Sequence, residues 1–184
     1  MRERRNGGAR AVGVSLALRS VLWAVLLPGV VAGYVPWRYF GVGRLHVDPT
    51  LAADLLGLLC AGVGVAVLGA CILEFARSGR GTLAPIDPPR ELVVQGLYRY
   101  VRNPMYLGVA TILLGEVLLV RSLELLAYWL IVFAGANLFV IGYEEPSLRR
   151  RFGEPYDRYT KQVGRWLPRL TARGRIPPAG SEPS

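Results

Sequence analysis

Long apolar blocks with few charges constrain this 184-residue chain more than any other feature. Four blocks have the length that crosses a hydrocarbon core of about 30 Å; they cover residues 20–39, 51–75, 104–120 and 123–143. Because hydrophobic residues make up 52% of the chain and charged residues only 19%, a soluble enzyme and a disordered chain are both excluded. The sequence therefore predicts an all-α fold, a polytopic membrane helix bundle of about four transmembrane helices.

Prolines and short connections define the predicted helices. Pro28 predicts a kink in the first block, and only Arg121 and Ser122 separate the third block from the fourth, which predicts an antiparallel hairpin. Asn103 before Pro104 predicts the start of the third helix, because Asn is a good cap and Pro suits the first helical position. That start would present free backbone N–H groups, which attract an anion such as a carboxylate.

The distribution of basic residues predicts the orientation in the membrane. Eighteen of the 22 Lys and Arg residues lie in residues 1–10, 76–105 and 144–175, and three lie in the other two connections. Since cytoplasmic segments carry the excess of Lys and Arg, both termini are expected to be cytoplasmic, in a bacterial inner membrane. The formal net charge of +9 then indicates contact with anionic lipid and not with nucleic acid.

A helical stripe of apolar residues follows the fourth block. It recurs at steps of three or four residues and comprises Leu148, Phe152, Tyr156, Tyr159, Val163, Trp166 and Leu167. Charged residues fill most positions between, which predicts a C-terminal amphipathic helix on the inner leaflet, with a bend at Gly153. Residues 1–169 are predicted to form one domain, and the Pro-, Gly- and Ser-rich tail 170–184 is expected to be disordered.

Acidic residues in or beside the apolar blocks are candidate site residues. Glu144 and Glu145 end the fourth block, where adjacent carboxylates need a cationic partner, either the Arg149–Arg151 cluster or a cationic ligand. Glu116 lies deep in the third block, where it either takes part in proton transfer or is a protonated packing residue. Asp54 lies near a span end, where snorkelling or capping explains it.

Aromatic and metal-binding residue types bear on cofactors. Tyr98, Tyr100 and Tyr106 either form an aromatic belt or present ring faces to a sulfonium or ammonium cation. The single histidine lies in a loop, and the two cysteines do not have a metal-binding spacing, so no metal site is predicted.

Two sequence motifs resemble the signature of a known group of enzymes. The first is Gly96 to Gly108, GLYRYVRNPMYLG; the second comprises Glu144-Glu145, Leu148, Phe152-Gly153, Tyr156 and Tyr159. In this order, and separated by a helical hairpin, they resemble the isoprenylcysteine carboxyl methyltransferase and phospholipid methyltransferase families. Those families are integral-membrane enzymes that use S-adenosylmethionine. The resemblance covers residues 80–167.

This resemblance implies a cofactor site and a set of catalytic candidates. The residues implied to hold S-adenosylmethionine are Arg90, Glu91, Leu92, Val93, Tyr98, Asn103, Pro104, Met105, Tyr106 and Glu144. The candidate proton acceptors are Glu145 and Glu116, which an amine acceptor needs and a carboxylate acceptor does not. Asn103 stands where the isoprenylcysteine branch has His, and Val140 where it has a substrate-contacting Arg, so the resemblance leans toward the phospholipid-type or bacterial branch.

The implied activity is methyl transfer from S-adenosylmethionine to a lipophilic acceptor that arrives laterally from the bilayer. A phospholipid amine, an isoprenylcysteine-like carboxylate and a small thiol are the open acceptor classes. Two other functions stay open, an NADPH-dependent membrane reductase of related architecture and a non-catalytic membrane lipid-binding or scaffold protein. The sequence predicts no particular oligomeric state.

Overall fold

The computed structural model describes residues 25–44, 47–48, 51–78, 92 and 94–169. Helices and turns make up these ranges, together with one isolated backbone bridge, and none of these residues belongs to a strand. The predicted all-α class is confirmed for this part of the chain. The N-terminal tail, most of the central loop and the tail 170–184 lie outside the described residues.

The described ranges contain six helices, which we number α1 to α6. Helix α1 contains a π-helical segment, Val30–Tyr34, followed by an α-helical one, Val35–Tyr39. Helix α2 is Ala52–Ser78, α3 is Pro104–Val120 and α4 is Leu123–Phe139. A second π segment, Val140–Glu144, joins α4 to α5, Glu145–Phe152, and α6 is Glu154–Gln162. Short 3₁₀ turns are Val42–Arg44 and Gly96–Arg99.

Among the described residues, two helical stretches are long and apolar enough to cross a membrane. They are Ala52–Glu74 and Leu123–Phe152, with mean hydropathies of 2.5 and 2.1, and only 17% and 11% of their most apolar windows are buried inside the protein. Exposed apolar surface of this extent is favourable against lipid and unfavourable in water. Helix α3 is shorter, at 17 residues, and the first predicted span begins before the described residues, so the number of four spans stays a prediction.

Helices α2 and α3 pack along a seam of glycines. A Cβ added to Gly64 would lie 2.6 Å from the Gly108 carbonyl oxygen, and one added to Gly115 would lie 2.6 Å from the Gly57 carbonyl oxygen. The backbones therefore touch directly, as they do where small residues line a membrane helix interface. Both pairs of glycines are seven residues apart along their helix, so each pair lies on one helix face. The seam fixes α2 against the helix whose first turn carries the candidate site.

An ion pair ties the start of α2 to the hairpin between α3 and α4. The Arg121 guanidinium donates to the Asp54 carboxylate, which also accepts from the Asp48 backbone N–H at 2.8 Å. The backbone of Arg121, directly after α3, adopts the left-handed helical conformation. The Ser122 side chain caps α4 by accepting from the Leu125 N–H at 3.1 Å. The predicted hairpin is confirmed. Asp54 has a structural role, but it is buried in an ion pair and does not act by the snorkelling or capping expected from the sequence.

Two prolines account for the π-helical segments. Pro36 and Pro146 each stand two residues after such a segment ends. Because proline has no N–H, it leaves a carbonyl of the preceding turn without a donor, and a widened turn accommodates this loss. In α1 the Val31 carbonyl accepts instead from the Tyr128 hydroxyl of α4, at 2.9 Å. The sequence predicts a kink at Pro28, whereas the departure from α geometry follows that residue and lies between the two prolines of α1.

The chain after α4 packs against the segment that precedes α3. Tyr156, Tyr159 and Val163 form a buried cluster, and Leu92, Val94, Leu148 and Phe152 pack against it. Gly153, at φ +57°, separates α5 from α6 and confirms the predicted bend. The predicted C-terminal amphipathic helix is thus two helices, and the apolar stripe expected to lie on lipid is covered mainly by protein. The reason is that Leu92 and Val94, from a loop distant in sequence, pack on the stripe. Leu167, at the end of the stripe, is exposed.

Candidate functional site

Tyr106 and Glu144 meet at the end of the hairpin opposite to Arg121, which we call the site end. The Tyr106 hydroxyl donates to Glu144 Oε2 at 3.1 Å. Tyr106 lies in the first turn of α3, and Glu144 ends the π segment after α4. An antiparallel hairpin brings the start of one helix to the end of the next, so these residues meet although they are 38 positions apart.

Tyr98 joins this pair from the turn that precedes α3. Its side chain forms a hydrogen bond with the Cys71 thiol of α2. Burial raises the pKa of the Tyr98 phenol well above its ordinary value, and the nearby Cys71 and Glu144 raise it further. The phenol therefore stays protonated at neutral pH and can donate a hydrogen bond. The Tyr159 hydroxyl donates to the Tyr98 carbonyl at 2.7 Å, which ties α6 to this turn.

Glu145, the neighbouring carboxylate, has two cationic partners of its own. Arg165 donates to it from Nε at 2.7 Å and from Nη2 at 2.8 Å, and Arg102 Nη1 lies 3.0 Å from Glu145 Oε1. This bidentate contact fixes the orientation of the Arg165 guanidinium and of the Glu145 carboxylate. These partners come from outside the Arg149–Arg151 cluster that the sequence offers as one explanation, and Arg149 instead forms an ion pair with α6.

Residues 163–169, which we call the C-terminal strap, close over the site end. The backbone N–H of Arg102 donates to the Gly164 carbonyl at 2.9 Å, and the Asn103 side-chain amide donates to the Arg165 carbonyl at 3.3 Å. Asn103 immediately precedes α3, as predicted, but its side chain makes no capping hydrogen bond. The predicted side-chain cap is wrong: the Asn103 side chain is held by the strap through its N–H group, and its oxygen accepts no N–H of α3.

The donors at the site end fit an anionic group. Among the residues that the structure describes, the buried side-chain atoms without a hydrogen-bond partner are Arg102 Nε and Glu116 Oε2. An unpaired buried guanidinium N–H is costly, so a further acceptor near Arg102 would be favourable. The uncapped start of α3 adds backbone N–H groups beside it. Together with the Glu144 carboxylate, these groups match the carboxylate and the amino group of the methionine part of S-adenosylmethionine.

The other predicted cofactor residues divide into three groups. Pro104 and Met105 open α3, so they lie at the site end. Leu92 packs against the buried cluster around Tyr156. The residues that lie outside the described part of the chain are Arg90, Glu91 and Val93.

The structure does not bring Glu116 to the site end. It follows Tyr106 by ten residues on α3, which corresponds to about 15 Å along the helix. Glu116 lies one turn before the end of α3, about 6 Å from Val120 along the helix. Glu116 is 8% exposed and lies near Tyr128 of α4.

Sequence reasoning missed several residues that build the site end, chiefly Arg102, Arg165 and Asn137. The Trp166 indole N–H donates to Asn137 Oδ1 at 3.0 Å, and the Trp166 ring lies edge-on to Tyr106 with centroids 6.3 Å apart. A signal existed for Asn137, a polar residue within an apolar block, and for Arg102, which precedes Asn103 in the first motif. No local signal existed for Arg165, because its contact depends on the return of the strap.

The conserved pattern of one known family matches residues 53–155, under the description "Phospholipid methyltransferase". The match runs from the start of α2 into α6 and takes in more than half of the chain. The chain belongs to the phospholipid methyltransferase family. The resemblance to this family is thereby confirmed, and both residues of the Tyr106–Glu144 contact lie inside the matched segment.

The curated relatives of this phospholipid methyltransferase family member are distant in sequence, at 28% identity. The nickel-cobalt-cadmium resistance protein NccN of Alcaligenes xylosoxydans xylosoxydans is 28% identical over 151 residues, which cover 82% of this chain and 63% of NccN. A probable protein-S-isoprenylcysteine O-methyltransferase of Oryza sativa subsp. indica is 28% identical over 115 residues, 61% of this chain and 60% of that protein. The protein of the same name in subsp. japonica matches to the same extent. The chain thus spans about three fifths of the length of these relatives.

Proposed function

We propose that this protein is an integral-membrane methyltransferase that uses S-adenosylmethionine and methylates a lipophilic acceptor. The observation that carries the proposal is the contact between Tyr106 and Glu144 beside the unpaired Nε of Arg102. A carboxylate for a cation and donors for an anion stand at one end of one hairpin, as recognition of a zwitterionic amino-acid group requires. Membership of the phospholipid methyltransferase family supports the same activity.

The residues at the site end would hold the cofactor in distinct ways. S-adenosylmethionine supplies a methyl group on a positively charged sulfonium. Glu144 would accept hydrogen bonds from an amino group or from ribose hydroxyls. Arg102 and the first backbone N–H groups of α3 would donate to a carboxylate, and the rings of Tyr98 and Tyr106 suit the sulfonium charge. The strap would exclude water from these groups, and positioning of this kind can lower a barrier by several kcal/mol.

An amine acceptor must lose a proton, and we propose Glu145 and Glu116 as the candidate bases. A general base must lie within hydrogen-bond reach of the proton or be linked to it by one water. Glu145 is next to Glu144, although Arg102 and Arg165 occupy its oxygens. Glu116 has an unpaired oxygen but lies about 15 Å from Tyr106 along α3. Proximity therefore favours Glu145.

The acceptor class and the orientation remain part of the proposal. The family description favours a phospholipid amine, and the names of the Oryza sativa relatives favour an isoprenylcysteine-like carboxylate; a small thiol is the third class. The described arginines of residues 99–102 and 149–169 lie at the site end, which supports a cytoplasmic site. The charge distribution of the whole sequence supports cytoplasmic termini and a location in the bacterial inner membrane. Among the described residues, no three His, Cys, Asp or Glu side chains lie close enough together to hold a metal ion.

Calorimetry on the purified protein in detergent tests the cofactor assignment. Glu144→Gln keeps the shape of the side chain and removes its charge, which costs about 1.5–3 kcal/mol for a hydrogen bond to a charged group. We expect S-adenosylmethionine to bind about 10- to 150-fold more weakly to this variant. The matched control is Glu154→Gln on α6, where the side chain is 80% exposed, and it should bind like the wild type. Unchanged affinity in Glu144→Gln would contradict the assignment.

A transfer assay separates the three candidate functions. The wild-type protein is incubated with radiolabelled S-adenosylmethionine and total bacterial lipid, and the label in the organic phase is counted. Label in that phase supports methyl transfer. Binding of NADPH in place of S-adenosylmethionine, measured by the same calorimetry, would favour a reductase, and binding of neither would favour a non-catalytic lipid-binding or scaffold protein.

A further inference from the structure

A row of aromatic rings runs between α3 and α4 toward the site end. Trp129 and Phe133 stack with centroids 5.9 Å apart, Phe133 lies 5.3 Å from Trp166, and Trp166 meets Tyr106 edge-on at 6.3 Å. The Trp129 indole N–H donates to the Ala110 carbonyl of α3 at 2.8 Å, which anchors the far end of the row. The row therefore leads from the middle of the hairpin to the tyrosine that holds Glu144.

Trp166 differs from the other members because it belongs to the strap and not to a spanning helix. Its indole N–H is held by Asn137 of α4 at 3.0 Å. The strap around it is held by polar contacts with Arg102, Asn103 and Glu145. Hydrogen bonds of this kind are individually weak compared with the packing of two helices. The strap can therefore release Trp166 without separating any pair of helices.

The seam between α2 and α3 offers no comparable opening. There, the backbones of Gly64 and Gly108 and of Gly57 and Gly115 are in direct contact, so an opening requires the helices themselves to part. At the site end, the seam between α3 and α4 is filled by side chains, one of which comes from the strap. A molecule dissolved in the bilayer would reach Tyr106 most easily through this second seam.

We propose that Trp166 is the gate residue of the seam between α3 and α4, through which a lipid-borne acceptor reaches the Tyr106–Glu144 pair. The ring closes the seam when Asn137 holds it, and its size limits which acceptors pass. This specificity role rests on the proposed methyltransferase function. Its first premise, that Trp166 borders the lipid, does not depend on any catalytic activity.

Fluorescence quenching tests that premise. Three of the four tryptophans, Trp23, Trp37 and Trp129, are replaced by Phe, and the protein is reconstituted in phosphatidylcholine vesicles brominated near the carbonyl end of the acyl chain. We expect Trp166 to lose fluorescence relative to vesicles without bromine, and to be quenched less by acrylamide from the water. N-acetyl-tryptophanamide dissolved in the same buffer is the reference for a ring that is fully exposed to water. Quenching of Trp166 by acrylamide alone would overturn the proposal.

Acceptor selectivity tests the gate itself. The probes are phosphatidylethanolamine with short and with long, branched acyl chains, and kcat/KM is measured for each in the wild type and in Trp166→Ala. We expect the ratio of kcat/KM for the bulky probe to that for the slim probe to rise about tenfold, the scale on which pocket shape discriminates substrates. Trp129→Ala, in the same aromatic row but away from Tyr106, should leave the ratio unchanged.

Two further measurements keep the outcome decisive. Asn137→Leu removes the anchor of Trp166 and keeps its ring, so it should shift the ratio in the same direction but less, even if Trp166→Ala fails to fold. An unchanged ratio in variants that bind S-adenosylmethionine normally would overturn the gate. If the wild type methylates neither probe, the proposed phospholipid acceptor fails, while the quenching result still decides whether Trp166 borders the lipid.

Discussion

The glycine seam between α2 and α3 allows a sharply controlled stability experiment. Gly64 and Gly62 are two residues apart on α2, but a Cβ on Gly64 would lie 2.6 Å from the Gly108 carbonyl oxygen, whereas one on Gly62 would meet nothing within 4 Å. Substitution of either by Ala raises helix propensity to the same extent, by up to about 1 kcal/mol. The difference between Gly64→Ala and Gly62→Ala therefore isolates the contact across the seam.

The expected size of this difference follows from the clash. Ordinary contact begins at 3.4 Å, so α2 and α3 must separate by about 0.8 Å to accept the new methyl group. The atoms that the methyl group would meet are the Gly108 carbonyl oxygen and the backbone N and Cγ1 of Ile112. Backbone atoms and the side chain of a β-branched residue in a helix cannot rotate away. Overpacking of this kind costs about 1–3 kcal/mol. We expect Gly64→Ala to be less stable than Gly62→Ala by that amount.

The assay is reversible unfolding in mixed micelles with increasing fractions of sodium dodecyl sulfate, followed by circular dichroism. The free energy of unfolding is extrapolated to zero denaturing detergent for the wild type and for both variants. Gly62→Ala should equal or exceed the wild type. Equal stabilities of the two variants would show that α2 and α3 do not touch at these glycines, and the fixed placement of α2 beside the site end would then be wrong.

Two other predictions concern the polar contacts that hold the fold. Asp54→Asn leaves the half-exposed Arg121 without a charged partner, and because Asp54 is 1% exposed we expect a loss between the roughly 1 kcal/mol of a surface pair and the 3–5 kcal/mol of a buried one. The same unfolding assay in a double-mutant cycle with Arg121→Gln should give a coupling energy of that order, and additive effects would refute the pairing. Tyr159→Phe removes the hydrogen bond to the Tyr98 carbonyl and should cost about 1 kcal/mol. Tyr100→Phe, at a residue that is 62% exposed, is the control, and an equal loss in both would contradict the role of Tyr159.

Local sequence patterns predicted the elements that depend on near neighbours. The two-residue hairpin at Arg121 and Ser122, the start of α3 at Pro104 and the bend at Gly153 each follow from the backbone preferences of the residues present. The resemblance also grouped Tyr106 with Glu144, which the structure joins by a hydrogen bond. Such features need only local geometry or a motif that spans one hairpin.

The remaining features depend on contacts between distant segments. Nothing near Arg165 in sequence indicates that it reaches Glu145, because the contact requires the strap to return to the start of α3. The apolar stripe that includes Tyr156 has the same pattern whether lipid or protein covers it, and the choice rests on a loop more than 50 residues earlier. The seven-residue spacing of Gly57 and Gly64 does indicate a close helix interface, but the predictions made from the sequence do not include that interface.

The widened turn before Pro146 has a consequence for the two neighbouring glutamates. Successive residues of an α-helix point about 100° apart, so one residue inserted into a turn rotates everything beyond it by about that angle. Here the insertion directs Glu144 to the tyrosine of α3 and leaves Glu145 to the two arginines. Pro146 thus sets the rotation of the helix about its axis. A chain with another residue at position 146 would keep the backbone N–H, and it could turn Glu145 instead of Glu144 toward the Tyr106 hydroxyl.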